Sequence, residues 1–370
     1  MRIDILLPYR EKFTLTKASA VSTSVKNSIT YSIYRNEIKI YGHTVVNPML
    51  KKNFIGINTN RLIHFSNNIS LIKNYLKLNQ NDDEKKLIEI HNRPYLLKYL
   101  LHKTYHNPII LYYHNDPTKM KGSISIKERE DILKNVSGLV FVSKFLKEKF
   151  LKGIDTKSSK LYVIPNSLDM NKNASLEKKS KRILFVGRLV NEKGVHIYIN
   201  AIKKIAKKYP DWEFLLIGNS GKRKKFFQKN NFETAMIKQF QDIGSNTKHL
   251  GFISNEEVLT IMENSQILVV PSIWDEPFGL TAIEGLANRM LVIANNVGGL
   301  KDIISNKGIL LNNINEEILS KKLTQLLNNP KQIADFQNKC FENYIYDQEK
   351  VSSKQDVIRK KIFQKYFNVE

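Results

Sequence analysis

The sequence predicts an α/β chain of two doubly wound, Rossmann-like domains, and three observations predict it. The chain has 370 residues, and domains usually run to roughly 100–200 residues. Short apolar runs alternate with amphipathic stretches almost throughout, the rhythm of a parallel sheet covered by helices. The rhythm breaks once, at the polar, Lys-rich stretch Asp169–Lys181, and then restarts. The expected division is an N-terminal domain over 1–168, a linker over 169–180, a second domain over 181–345, and a last helix over 346–370 that crosses back to the first.

In the first half, Ile3–Leu7 reads as a strand and is followed by a helix ending near Gly42. Further strands are expected at Thr44–Val46, Leu87–Ile90, Ile109–Tyr113, Leu139–Val142 and Lys160–Ile164. Ser143 is placed to cap a helix over Lys144–Leu151, whose wet face carries Lys and Glu. In the second half the expected strands are Arg182–Val186, Glu213–Ile217, Gln266–Val270 and Leu291–Ala294. Helices are expected over Gly194–Tyr209, ended by Pro210, and near Gly279–Ala287. The tail beyond Asn315 is helical in pattern and is expected to wrap the outside of the sheets. In doubly wound sheets, ligands sit at the carboxyl ends of strands beside helix N-termini, so two such domains are expected to face a cleft.

Apolar residues make up 42% of the chain, enough for two cores. The single cysteine, Cys340, excludes an intrachain disulfide, suits a reducing compartment and reads as a buried structural residue. The run from Met1 to Pro8 is short and carries Asp4, unlike a secretory signal, and no apolar stretch approaches the ~20 residues of a membrane helix. The expected location is cytoplasmic, with peripheral contact to the inner membrane. The net charge of +24 has three readings: nucleic acid, an anionic membrane surface or glycolipid, and codon bias in a chain rich in Lys, Asn and Ile. The Lys residues are scattered and no aromatic-interleaved or helix-turn-helix pattern stands out, so the membrane ranks above nucleic acid, which is not expected as a partner.

Two stretches carry most of the chemistry. In Phe185-Val-Gly-Arg-Leu-Val-Asn-Glu-Lys-Gly194 a strand ends at Gly187, read as permitting a tight turn. Arg188 and Lys193 then project from one loop before a helix, offering two cations, with the amides of Lys193 and Gly194, to a diphosphate. Neither a Gly-x-Gly-x-x-Gly nor a Walker sequence is present, which removes the usual support for NAD or ATP. In Pro271-Ser-Ile-Trp-Asp-Glu-Pro-Phe-Gly-Leu-Thr-Ala-Ile-Glu284, a strand leads through a polar-aromatic loop into a helix. Eight residues along a helix is about 12 Å, so Glu276 and Glu284 are too far apart to share a proton or a metal, and no metal is expected. They bracket a ligand instead, with free amides at Phe278, Gly279, Leu280 and Thr281 facing phosphate.

At these stretches the chain resembles glycosyltransferase family 4. The resemblance extends to Val163–Asp169, Trp212–Gly218, His249–Ile253 and Val292–Gly299. It implies a GT-B fold, two Rossmann-like domains facing a cleft with C-terminal helices packing back across, and metal-independent transfer with retention of anomeric configuration. It implies pyrophosphate contacts from Arg188 and Lys193 beside Gly187, and ribose contacts from Glu284. Sugar contacts are implied from Glu276 with the backbone at Phe278, Gly279 and Leu280, and a border to the base from Phe252 and Ile253. Two departures stand out. The family's small-residue loop after the first strand reads Thr16-Lys-Ala-Ser-Ala20, with Lys17 as the substitute charge. Its Gly-x-Pro after the Glu284 helix reads Arg289-Met-Leu291, with Asn288 expected in the left-handed cap.

In the first half, Glu89-Ile-His-Asn-Arg-Pro94 and Tyr112-Tyr-His-Asn-Asp-Pro117 both follow apolar strands and are similar to stretches of bacterial lipopolysaccharide-core transferases. His114 matches the family's His near the donor sugar, so the resemblance gives His114, Arg188, Lys193 and Glu276 as the catalytic set. His91, Arg93, Lys17 and Asp116 are acceptor-side candidates, although Asp116 before Pro117 reads first as a turn residue. Tyr95–Tyr105 reads as a core helix before a membrane-leaning one. The expected function is transfer of a hexose, N-acetylglucosamine or glucose, from a UDP-sugar to a glycolipid or polysaccharide acceptor, with no cofactor besides that co-substrate. A GT-B epimerase or glucan synthase, and a basic nucleic-acid-binding protein, are the alternatives.

Overall fold

The computed structural model describes residues 1–60, 62, 65–101, 106–220, 231–342 and 344–369. The chain forms two compact units, Met1–Ser167 with Tyr346–Glu370, and Leu168–Ile345.

The first unit holds a seven-stranded sheet in the order β3-β2-β1-β4-β5-β6-β7. Its strands are β1 (Arg2–Leu6), β2 (Ile38–His43), β3 (Phe54–Ile57), β4 (Lys86–His91), β5 (Ile109–Tyr113), β6 (Gly138–Phe141) and β7 (Leu161–Val163). Every pairing is parallel, with Ile5 opposite Ile40 on one side and Glu89 on the other. β1, β4 and β5 are buried along their whole lengths, as a parallel sheet covered on both faces requires. The helices are α1 (Ala20–Thr30), α2 (Asn67–Leu78), α3 (Leu97–Leu101), α4 (Ile126–Asn135) and α5 (Lys144–Leu151). Ser19, Ser125 and Ser143 cap α1, α4 and α5, the first two in full capping boxes.

The second unit holds a six-stranded parallel sheet in the order β10-β9-β8-β11-β12-β13. Its strands are β8 (Ser180–Val186), β9 (Glu213–Ile217), β10 (Thr247–Gly251), β11 (Ser265–Val270), β12 (Leu291–Asn295) and β13 (Ile309–Leu311). Its helices are α6 (Val195–Ile205), α7 (Asn231–Gln241), α8 (Asn255–Glu263), α9 (Leu280–Ala287), α10 (Leu300–Ile304), α11 (Glu316–Leu327) and α12 (Pro330–Glu342). The core packs Val195, Tyr198 and Ile202 of α6 and Leu319, Leu323 and Leu326 of α11 against Phe214, Leu216, Ile267 and Ile293 of the sheet.

The last helix, α13 (Gln348–Phe367), belongs to the first unit. Arg359 on it is fully buried and grips Glu89 with two bonds of 2.8 Å, while Asp356 accepts from Arg359, Ser32 and the Ile33 amide.

Several expectations are corrected. The segment expected to close a helix at Gly42 is β2. Ile38-Lys-Ile alternates, and Gly42 leaves room for the Phe54 ring, which would stand 3.1 Å from a Cβ. Thr44–Val46 lies beyond that strand, and β3, β10 and β13 are additional. The stretch 169–180 is no bare connector. Lys179 is buried with its ammonium on the carbonyls of Met262, Glu263, Ser265 and Asn288, and burial lowers its pKa to about 8. Asn288 has φ −95°, and Arg289, at φ 58°, takes the left-handed position instead. The Asn288 side chain is engaged with the Glu284 carbonyl and Asn171. Leu96, Leu97 and Leu100 are buried, as a core helix demands; residues 102–105 of that expected helix lie outside the described residues. Cys340 is buried and free.

Candidate active site

In the second sheet the strand order reverses between β8 and β11, and the loops leaving those two strands are the two chemistry-bearing stretches. Such a reversal opens a crevice at the carboxyl ends of the strands. The loops are locked together by backbone contacts that only glycine permits. Gly194 has φ +69°, and a Cβ there would stand 1.9 Å from the Pro271 carbonyl oxygen. The Ile273 amide donates to the Glu192 carbonyl at 3.0 Å. A third loop joins them from β12. The Gly299 amide donates to the Glu276 carbonyl at 2.7 Å, and a Cβ on Gly298 would meet Glu276 backbone at 2.4 Å.

That lock brings Lys193 and Glu276 together. The buried Glu276 carboxylate accepts from the Lys193 ammonium and, at 2.7 Å, from the Ser272 hydroxyl. The same ammonium lies 5.7 Å from the centre of the Trp274 ring. Ser272 is held in turn, its carbonyl accepting from Asn295 at 2.9 Å. The motif reading named neither Ser272, Trp274 nor Asn295. Ser272 and Trp274 lie inside the second stretch, between strand end and first acid, and that position is the signal that could have found them.

Arg188 is exposed and its guanidinium has no partner among the described residues. Two roles from the sequence change. The amides of Lys193 and Gly194 close a tight turn onto Val190 and Asn191 and are not offered to a ligand. Gly187 is not in a left-handed turn; a Cβ there would meet only the Phe185 ring, at an ordinary 3.7 Å. Gly218 is the glycine this corner requires, at φ +128° and with a Cβ that would stand 2.0 Å from the Gly187 carbonyl oxygen.

No side chain caps α9, and the amides of Leu280 and Thr281 have no partner among the described residues. An uncapped helix start is favourable ground for an anion. Gly279 initiates it at φ +123°, where a Cβ would strike Leu300, and the Phe278 side chain is buried. Glu284, one turn into α9, is half-buried with no side-chain partner among the described residues. Burial alone raises its pKa to about 7. Phe252 is exposed and Ile253 half-buried just past β10. Among the described residues no three His, Cys, Asp or Glu side chains stand together to hold a metal ion.

The first unit carries a separate cluster at the carboxyl ends of β4 and β5. His91 is buried, stacked 4.4 Å from Tyr112 and hydrogen-bonded through Nδ1 to Nε2 of His114 at 2.9 Å. Burial lowers both imidazoles, His91 to about 3, and both are neutral at physiological pH. Asn92 and Arg93 are both left-handed, at φ 56°, an arrangement costing of order 1–3 kcal/mol each that tends to cluster at functional sites. Asp116 caps its own turn through the Thr118 amide and hydroxyl. Lys17 ends the short helix Leu15–Lys17.

The sequence and the fold are similar to those of known proteins. Residues 168–343 match the family model for glycosyl transferases, group 1. An uncharacterized glycosyltransferase of Methanocaldococcus jannaschii, MJ1178, is 34% identical over 206 residues, 53% of this chain and 51% of that protein. A 42.6 kDa protein in the cps region of Klebsiella pneumoniae is 30% identical over 46% of this chain and 41% of its own length. The chain thus spans about half the length of the curated relatives it matches. In three dimensions it is similar to the sucrose-phosphate synthase of Thermosynechococcus elongatus, with a TM-score of 0.75 and 17% identity over 99% of this chain and 100% of that one. Anabaena HepE, solved with UDP and glucose, gives 0.69 and 15% over 99% of each. The fold is GT-B. Among the described residues no helix is long and apolar enough to cross a membrane.

Proposed function

We propose that this chain is a retaining, metal-independent glycosyltransferase that moves a hexose from a UDP-sugar to a carbohydrate or glycolipid acceptor. The observation that carries the reading is the joined trio of Lys193, Glu276 and the uncapped start of α9 at the strand reversal, with the exposed Arg188 on the neighbouring loop. A nucleotide-sugar has three parts to hold. Arg188 and Lys193 take the diphosphate, helped by the amides of Leu280 and Thr281. Glu284 accepts from ribose hydroxyls, and Glu276, paired with Lys193, accepts from sugar hydroxyls. The solved neighbour with UDP and glucose supports this class of donor.

In the reaction, the bond from the anomeric carbon to the diphosphate breaks as the acceptor hydroxyl arrives on the same face, and the leaving phosphate takes the proton. The protein supplies cations and oriented amides where negative charge grows, and only contacts stronger in the transition state raise the rate. Arg93, Asp116 and Lys17 are proposed for the acceptor side; His91, buried with Nδ1 on His114, is not. The Klebsiella relative in a cps region supports a cell-surface glycan as product, and the charge of +24 supports work at an anionic membrane surface on the cytoplasmic side.

The test is turnover with a panel of nucleotide-sugars and oligosaccharide or lipid acceptors, in Mg²⁺ and in excess EDTA. Release of UDP that requires acceptor and persists in EDTA is expected. Release that requires divalent metal, or no acceptor-dependent release from any nucleotide-sugar, overturns the reading.

A further inference from the structure

We infer that His91 is a positioning residue that fixes the tautomer of His114, so that His114 presents Nδ1–H outward as a neutral hydrogen-bond donor to a hydroxyl of the carbohydrate substrate. The role of the substrate rests on the transferase reading above; the tautomer does not.

The two rings share one hydrogen bond, His91 Nδ1 to His114 Nε2 at 2.9 Å, so a single proton lies between them. Two arrangements are possible for a neutral pair. If His114 donates, His91 carries its proton on Nε2. If His91 donates, its Nε2 is a bare lone pair and the His114 proton sits on Nδ1. Nε2 of His91 is enclosed and has no partner among the described residues. An orphaned buried N–H is rarer and harder to accommodate than an under-used acceptor, so the second arrangement is the one the fold selects. Nδ1 of His114 has no partner among the described residues and is not enclosed, which leaves its N–H available.

The His91 ring cannot turn to evade this choice. It stacks within 11° of parallel on Tyr112 and at 5.1 Å on His114. The Tyr112 hydroxyl donates to Glu89 and accepts from Gln355, each at 2.8 Å, and Glu89 is clamped by Arg359. The backbone amide of His114 is fixed on Asn92 at 2.9 Å. The last helix of the chain therefore helps to hold the ring on which His91 stacks. A neutral donor of this kind discriminates for a hydroxyl at one position of a sugar and does not act as a general acid.

The experiment uses the full-length chain labelled with ¹⁵N-histidine, with His114→Ala to assign its signals. At pH 7, without substrate, one-bond and two-bond couplings are expected to show a protonated Nδ1 and a bare Nε2 on His114. A protonated Nε2 overturns the inference whether or not the chain transfers sugar. In the transfer assay, His91→Phe is expected to lower kcat about tenfold, the worth of one neutral hydrogen bond, with UDP inhibition unchanged. His91→Asn, which sets an amide donor at the δ position, is expected to restore most of the loss. Equal loss in the Asn and Phe variants also overturns the inference.

Discussion

Replacing Glu284 by Gln removes an ionisation that the fold itself suppresses. The carboxyl is half-buried on α9 with no side-chain partner among the described residues, and burial raises its pKa from the ordinary 4.5 to about 7. Between those values the folded protein holds a proton that the unfolded chain has lost. Stability is therefore fully present below pH 4.5 and falls as the pH rises through 7. A shift of this size, at about 1.4 kcal/mol per pKa unit, is worth roughly 3 kcal/mol, and partial exposure reduces it to about 2. Glu284→Gln escapes the loss. Urea denaturation of both proteins without nucleotide, at pH 5 and pH 8.5, should show the variant gaining about 2 kcal/mol on the wild type between the two pH values. A difference that does not change with pH would refute the reasoning. The same suppressed charge should matter for binding. Ribose hydroxyls donating to Glu284 favour its carboxylate, so nucleotide affinity in the wild type should rise through pH 7 and be flat in the variant.

Arg188→Ala and Lys193→Ala are each expected to lower transfer turnover by ~10²–10³ in folded protein, by analogy with loss of one oxyanion donor; near-normal turnover in both would remove the diphosphate role. Arg359→Leu strands the buried Glu89 and should cost about 3–5 kcal/mol in urea denaturation, with most of it recovered in the Glu89→Leu/Arg359→Leu double variant. Gly194→Ala combines a left-handed penalty of about 1–2 kcal/mol with a Cβ against the Pro271 carbonyl, so it should lower both the melting temperature and turnover. Gly244→Ala, where a Cβ meets only Asn246 at 3.4 Å, should change stability by less than about 0.5 kcal/mol.

The fold class was legible because parallel strands announce themselves. Ile109–Tyr113 is an unbroken apolar run and Glu213–Ile217 an apolar run behind one acid, and the ends of both were read correctly. β3 and β10 were not, because they are edge strands, where Phe54-Ile-Gly-Ile and Thr247-Lys-His-Leu-Gly mix exposed with buried positions. The loops bearing Arg188, Lys193, Glu276 and Glu284 were visible as motifs. What no motif could give was their backbone packing, since Gly194 meets Pro271 and Gly299 meets Glu276 across long separations in sequence. The buried Glu89–Arg359 pair was hidden for the same reason. Its halves are 270 residues apart, and on α13 Gln355, Asp356 and Arg359 read as an ordinary wet face. The reading of Lys193 also shifts. It is not a free cation awaiting phosphate but one already shared with Glu276, so binding must redistribute an existing ion pair.

The central claim is that the two loops at the strand reversal recognise a diphosphate, and calorimetric titration of UDP against uridine tests it most directly. The wild-type chain should bind UDP far more tightly than uridine, and the Arg188→Ala/Lys193→Ala double variant should bind the two with nearly equal, weak affinity. A folded double variant that keeps the full preference for UDP would contradict the account.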